Sequence, residues 1–498
     1  MRRYILKRML FFIPTLILIS LLAFIISINA PGDPVDRMVS ISQSGGDLQL
    51  EPQNLQEQKM VVRKQLGLDL PVFYITVSNI ATPDTLYKIA DANERKALKR
   101  LIAQNGNWQL INNYNSALQH LFASFKNIKL DSISVAPVSH GEAVSETNNA
   151  IVAVRALLIS HDPEIIESRL RTLVKIYSEN PFLNSDVALV DDIRNKYAAL
   201  QENKTLWKNY IPQLHWHTNN QYHRWIFGDG NWLTGKNAVN SKGIIRGDMG
   251  ISYTTKLPVS NIIRSRIGWS LFFTFTSVLL AYLISIPIGL NAAAKKNGLF
   301  DRSSTVILFV LYSMPVFWTA TLLLMTFANP DILKIFPASG VQPVEGIPKD
   351  ASFFEMIRIH IPYLILPTIC YTYAQLAFLS RITRVSALEI ISMDYIRTAQ
   401  AKGLSENKVL YKHVFRNALL PIITVFSNIF PAAIGGSVIL ETIFTIPGMG
   451  REIIQAIYNQ DYPVIVSVFT ITGVLTLLGY LIADILYSIA DPRITYNK

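Results

Sequence analysis

The chain has 498 residues, half of them hydrophobic and only 16% charged, with a mean hydropathy of +0.28. Soluble domains carry nearer a quarter charged residues, so this composition indicates a membrane protein. The net charge of +11 does not imply nucleic acid, since many basic residues flank apolar runs, and the single Cys370 excludes an intrachain disulfide and a cysteine-rich metal site.

The first apolar run, Met9–Ile28, follows Arg2, Arg3, Lys7 and Arg8 and is long enough to cross a bilayer. No small-residue cleavage site of the usual form precedes Pro31-Gly-Asp-Pro34, so residues 1–30 are expected to be an uncleaved anchor. Further spans are expected at Trp269–Ala293, Ser304–Ala328, Tyr363–Leu379, Ala418–Leu440 and Val464–Ile489, giving six in all. The basic residues place the loops: Lys295, Lys296 and Arg302 follow the second span, and Arg381, Arg384, Arg397, Lys402, Lys408, Lys412 and Arg416 outnumber Glu389, Asp394 and Glu406 after the fourth. Loop 329–362 is balanced in charge. The positive-inside rule then puts both termini of a multi-pass membrane protein in the cytoplasm.

Between the first two spans lies a long polar stretch. Thr85–Ala103, Trp108–Phe125, Ser145–Ile159, Pro163–Ser178 and Asp186–Leu200 show apolar positions at helical spacing, most with Pro, Gly or Asn near their ends. A mostly helical extracytoplasmic domain is expected there, with its tryptophans in buried packing or, as the alternative, in a binding surface near the membrane. Gly230-Asn-Trp-Leu-Thr-Gly235-Lys236 has phosphate-loop spacing, but Asn237 stands where Ser/Thr would hold magnesium and no apolar strand precedes it. His215, His217 and His223 are close in sequence, and the first two share a face if extended, yet no acidic ligand lies near them in the chain. The reading is a polar juncture beside the membrane; no metal, cofactor or catalytic residue is assigned anywhere.

Residues 394–421 form a basic island between apolar spans. Gly403 can turn a helix through positive φ, Ser405 can cap the next helix, and Val409, Leu410, Val414 and Phe415 recur at helical spacing. A helix–turn–helix with one apolar and one basic face suits docking to a soluble partner. The spans 269–293, 304–328 and 418–440 hold no Asp, Glu, Lys, Arg or His. An ion-driven carrier generally needs such groups at mid-membrane, so the driving energy is expected to enter through another subunit. Asp484 lies near the end of the last span, where Arg493 is a candidate partner. After the fifth span, Pro447-Gly448 and Gly450 favour a tight extracytoplasmic turn, with Glu441 placed at the membrane surface.

Tyr395-Ile-Arg-Thr-Ala-Gln-Ala-Lys-Gly403 resembles the cytoplasmic loop of binding-protein-dependent ABC importer permeases of the dipeptide/oligopeptide/nickel group. It lacks the leading Glu of the general motif, Arg397 standing about there, and its Gly403-to-Pro421 gap is longer than in sugar permeases; both are usual for the peptide group. Ala30-Pro-Gly-Asp-Pro34, Arg63–Val72, Arg246–Ser252, Pro258–Arg266, Glu441–Arg451, Asp461-Tyr-Pro463 and Asp491–Ile494 extend the resemblance. It lapses over 81–245, which is thus an insert; residues 31–80 are an extracytoplasmic segment and 246–498 the core, with a coupling loop at 381–416.

The resemblance implies an all-α membrane protein of the type I ABC importer permease kind. It implies as partners a second homologous permease, two cytoplasmic ABC ATPases and an extracytoplasmic substrate-binding protein, with membrane lipid around them. Arg397, Ala399, Ala401, Gly403, Glu406, Lys408 and Lys412 would meet the ATPase. Glu441, Pro447, Gly448 and Gly450 would form the extracytoplasmic turn, and the cargo would be a peptide or similar small solute. The alternatives are a passive or mechanosensitive channel and a membrane-anchored extracytoplasmic enzyme. The enzyme would need a nucleophile–base constellation in 81–245, where the sequence offers none.

Overall fold

The computed structural model describes the chain except residues 1, 31, 45–51, 126–139, 181, 184–186, 232–233, 235, 239–240, 349, 435–436 and 491–498. Two compact units are present, one of residues Met1–Pro31 with Met249–Lys498 and one of Gly32–Asp248. In chain order, helix α1 (Arg2–Ile28) belongs to the first. The second holds α2 (Pro34–Ser44), α3 (Pro52–Leu66), β1 (Ile75–Asn79), α4 (Ala92–Asn105), α5 (Trp108–Ser124), α6 (His140–Leu158), α7 (Pro163–Glu179), α8 (Val187–Glu202), β2 (Pro212–Trp216) and α9 (Gln221–Phe227).

Helices α4, α5, α7 and α9 of this second unit start where a side chain replaces a missing backbone partner. Asp91 accepts from the N–H groups of Asn93 and Glu94 and so begins α4, which is why the expected helix from Thr85 is instead a short 3₁₀ turn followed by α4. Asn107 and Asp162 cap α5 and α7 in the same way. Gly106 ends α4 at φ +70, and a Cβ there would lie 2.2 Å from the Thr205 carbonyl oxygen, so the close approach of residues 105 and 205 needs glycine. Leu98, Ile111, Leu118, Leu121, Leu157, Ile166, Leu173, Ile193 and Leu200 pack around Tyr114 and Tyr177 in one core.

The unit begins well before residue 81 because charge pairs bind the preceding segment to it. Asp33 meets Arg63 at 3.0 Å and Arg95 at 2.7 Å, and Lys59 bridges Asp36 and Asp91 at 2.7 and 3.2 Å. Burial alone would raise the Asp33 carboxyl, but Arg63, Arg95 and the Val35 N–H together hold it below its usual value. The strands β1 and β2, an antiparallel ribbon joining distant parts of the unit, were not among the expected elements, although both alternate apolar and polar residues. His217 Nε2 lies 3.2 Å from Asp84 Oδ1, so the histidines do have an acidic neighbour, brought from far off in the chain. His223 turns to Tyr74 instead, 2.6 Å away, and the three histidines do not converge. The phosphate-loop-like stretch lies partly outside the described residues.

Glu94 is the buried exception. Its Oε1 accepts from Asn115 at 3.0 Å and Gln119 at 2.6 Å, while burial pushes its carboxyl above the ordinary range despite those bonds. An acid with a raised folded-state pKa weakens the fold while ionised; the penalty is full above that pKa and vanishes as pH falls below it. Glu94→Gln keeps the accepting oxygen and removes the charge. It is expected to leave the unit as stable or about 1 kcal/mol more stable at neutral pH, and to flatten the pH dependence of its thermal unfolding in the acid range. Marked destabilisation by Gln would show that the carboxylate itself is needed.

The first unit continues with α10 (Val259–Ala294), α11 (Leu299–Ser313), α12 (Val316–Phe327), α13 (Phe353–Ile391), α14 (Asp394–Ala401), α15 (Glu406–Lys408), a π-helical turn (Val409–Val414), α16 (Phe415–Ile434), α17 (Val438–Ile443), α18 (Met449–Tyr458) and α19 (Tyr462–Ala490). Among the described residues α1, α10, α13 and α19 are each long and apolar enough to cross a membrane. The α11–α12 pair makes a fifth if taken as one span; it bends by 97° at Met314–Pro315, so the expected third span is broken rather than straight. The expected fifth span falls on α16 and α17, with residues 435–436 outside the described residues.

Small residues set the helix spacing. A Cβ on Gly289 of α10 would lie 2.6 Å from Thr383 Cβ and 2.7 Å from the Ser380 carbonyl of α13, so these two long helices touch backbone to backbone. Ser277 and Ser285 on α10 are buried. On α1 most apolar side chains, Leu10, Phe11, Ile13, Ile17 and Leu18 among them, are exposed, as lipid-facing residues would be. The Asp484 carboxylate of α19 is paired with Arg8 of α1 and accepts from Tyr4 at 2.9 Å; the candidate partner Arg493 lies outside the described residues.

Candidate functional site

The basic loop folds as the helix–turn–helix its sequence suggested. Gly403 takes φ +77 just after α14, its N–H donating to the Gln400 carbonyl at 2.9 Å, and a Cβ there would find nothing within 4 Å. Ser405 is extended at the start of α15, but its side chain makes no capping bond, contrary to expectation. Ile396, Ala399, Val409, Leu410 and Val414 are buried against Leu290 and Ala293 of α10 and Ala387 of α13, with Phe415 packed partly against them. The π-helical turn lies within this apolar seam; such distortions often mark functional positions.

The opposite face is exposed. Arg397, Ala401, Gly403, Glu406, Lys408 and Lys412 all lie on it. Ala399 does not: it faces inward, because the α14 positions that share its helical face also carry Ile396. Its small size fits the packed side of the helix. The site is thus a polar, mainly basic platform whose underside grips the ends of α10 and α13.

The turn after α16 differs more from expectation. Glu441 is 0% exposed, enclosed by protein rather than presented on its surface. Its Oε1 accepts from Ser270 Oγ at 2.8 Å and its Oε2 from the Arg451 N–H at 2.8 Å. Ser270 Oγ in turn accepts from the Met449 N–H at 2.8 Å. A Cβ on Gly448 would lie 2.4 Å from Glu441 Cδ, and one on Gly450 would lie 2.8 Å from the Val438 nitrogen and 3.0 Å from Glu441 Oε2. The glycines of the turn are therefore room for a buried carboxylate, and Gly450 also takes φ +81.

A second buried acid works the same way. Asp461, 3% exposed, accepts from Ser252 Oγ at 2.5 Å, the Tyr253 N–H at 3.0 Å and the Thr254 N–H at 3.2 Å. Asp301, which sequence reasoning passed over, is buried in a fork with Arg384, Oδ1–Nε 2.5 Å and Oδ2–Nη2 2.8 Å, tying α11 to α13. A signal was available: in each case an isolated acid beside an apolar run.

Residues 285–496 match the family model of the binding-protein-dependent transport system inner membrane component. The oligopeptide transport system permease AppB of Bacillus subtilis is 42% identical over 254 residues, covering 51% of this chain and 78% of AppB. The chain belongs to the binding-protein-dependent transport permeases. The dipeptide transport system permease DppB of Escherichia coli is 32% identical over 274 residues, covering 51% of this permease and 79% of DppB. Among solved structures, a chain of the inward-facing MetNI methionine ABC transporter is 16% identical with a TM-score of 0.37, covering 46% of this permease and 96% of that chain, a distance at which the likeness carries no weight.

Both the exposed platform and the Glu441 turn fall within the matched residues. The permease is a multi-pass inner-membrane component of a transport system. Its family implies an ATPase and a substrate-binding protein as partners in general, and the role of the permease among them is non-catalytic.

Proposed function

We propose that this permease carries peptides or similar small solutes as half of a translocation path completed by a second, homologous permease, with two cytoplasmic ATPase subunits supplying the energy. The carrying observation is the two-sided loop: Arg397, Ala401, Gly403, Glu406, Lys408 and Lys412 face outward, and Ala399, Val409, Leu410 and Val414 seat on α10 and α13. A push on the platform would be delivered to those two long helices without passing through a flexible link. They touch backbone to backbone at Gly289, so a displacement of one moves the other. Peptide cargo is supported by the similarity to AppB, an oligopeptide permease, and DppB, a dipeptide permease. Residues 81–245, within the unit Gly32–Asp248, are proposed as an extracytoplasmic insert on the core 246–498.

Purification from gently solubilised membranes should bring down ATPase subunits, and reconstituted complex should take up labelled peptide only with ATP and binding protein. Recovery of the permease without any ATPase, with solute leaking passively, would favour a channel instead. The orientation has its own test in a Cys370→Ser background. In sealed cells Lys408→Cys should resist a membrane-impermeant maleimide, while exposed Ser339→Cys should react fully. Asn115, which is buried, is a poor reporter; Asn112→Cys serves for the insert. Reaction at Lys408→Cys in intact cells would invert the topology.

A further inference from the structure

The ribbon of β1 and β2 is built inside out. Ile75 pairs with Trp216 and Val77 with Leu214, which places these four side chains on one face; Thr76, Ser78, Gln213 and His215 occupy the other. In a ribbon covering a soluble domain the apolar set would turn inward and the polar set outward. Here the reverse holds. Val77 is 71% and Trp216 75% exposed, and Ile75 and Leu214 are exposed as well, while of the polar set only Gln213, near the ribbon's end, is exposed and Thr76, Ser78 and His215 are half-buried, with His215 Nε2 3.1 Å from Ser78 Oγ. Slipping the register by one residue would exchange the faces, so the outward apolar set is a property of this register. The 3₁₀ turn Leu206–Tyr210, which leads into β2, adds exposed Trp207 and Tyr210, the latter at 86%; against the expectation of buried packing, Trp207 and Trp216 are exposed and Trp108 and Trp225 only partly buried.

We propose that this apolar face rests in the interfacial layer of the membrane to which the chain is anchored. Tryptophan and tyrosine beside aliphatic residues match the headgroup region, where an apolar ring body and a polar tip are both satisfied. Lys208 Nζ, 5.9 Å from the centre of the Trp207 ring, adds a cation suited to anionic headgroups. The unit is bracketed by α1, ending at Ile28, and α10, beginning at Val259, both long enough to cross a bilayer, so tethering at each end keeps the patch at high effective concentration near lipid. A stable protein interface would draw on roughly 20–30 residues from each side, far more than this ribbon offers; a tethered lipid contact needs only a few anchors. The proposal is independent of which solute is carried.

The test uses the full permease with Cys370→Ser, reconstituted in vesicles of phosphatidylethanolamine and phosphatidylglycerol, with a nitroxide label at Val77→Cys. Leu214→Cys is a second site on the same face, and Arg171→Cys, on the exposed side of α7, is the aqueous control. At Val77 and Leu214, relaxation by molecular oxygen should exceed that by a water-soluble nickel chelate severalfold, with the order reversed at Arg171. Equal access of the chelate to all three sites would overturn the proposal. So would labels at Val77 and Leu214 shielded from both relaxants, which would mean that protein, not lipid, covers the ribbon.

Discussion

Glu441→Ala is expected to cost the membrane unit roughly 3–5 kcal/mol, seen as a large fall in the melting temperature of the purified permease. The side chain is fully buried, and its removal strands the Ser270 hydroxyl and the Arg451 N–H, both at 2.8 Å in the native fold. Each stranded buried donor costs about 1–3 kcal/mol, and the vacated volume adds to this. Gly448→Ala attacks the same place from the other side, since its Cβ would lie 2.4 Å from Glu441 Cδ. The Gly448 backbone is at φ −109, so no backbone strain contributes; the expected loss of about 1–3 kcal/mol is overpacking alone. The double variant decides the matter. With the carboxylate gone, Gly448→Ala should cost little, giving a coupling of about 1–3 kcal/mol. Additive losses would mean that the glycine and the acid are not one structure, and the account of the turn would fail.

That the Glu441 cage was hidden in the sequence has a physical reason. An acid next to an apolar span is ordinarily placed at the surface because burial without partners is costly. Its partner Ser270 lies 171 residues away, and Ser252 is 209 residues from Asp461. Local reasoning sees the cost but not the compensation. Pro447, Gly448 and Gly450 were legible as a turn for the same local reason, and their true constraint, space for a carboxylate, was not.

Gly403 shows the opposite case, because positive φ after a short helix is a local property. The inward face of Ala399 was legible in principle, from its spacing to Ile396 three residues before. The periodic helices α5, α7 and α8 were found nearly to their ends and α6 five residues short at its start, whereas the ribbon escaped, although Ile75, Val77, Leu214 and Trp216 alternate with polar residues, because each run is only five residues long. Pro315 marks a break within the expected third span, but a proline alone does not give the size of the bend, 97°.

Gly403→Asp is expected to reduce ATP-driven uptake on the order of tenfold or more, the effect of losing about 1.4 kcal/mol at a coupling contact, while leaving the permease inserted and its melting temperature nearly unchanged. The backbone at φ +77 penalises a side chain by about 1–2 kcal/mol, and the added atoms meet nothing within 4 Å, so the fold survives. What changes is charge: a carboxylate appears on a face that presents Arg397, Lys408 and Lys412. Gly403→Ala carries the same backbone strain without the charge and should retain much of the uptake, which separates the two causes. Ala399→Asp is expected to abolish uptake by another route, burying a carboxylate among Ile396, Val409, Leu410 and Val414 with no partner there to compensate it. It should therefore lower the melting temperature, as Gly403→Asp does not. Uptake and co-purified ATPase, each normalised to the amount of inserted permease, are the readouts, with melting measured on the same preparations. Full uptake by Gly403→Asp would mean that no ATPase bears on the exposed face of the loop. Equal melting losses in the Gly403 and Ala399 variants would remove the distinction between a platform that is touched and a seam that holds it in place.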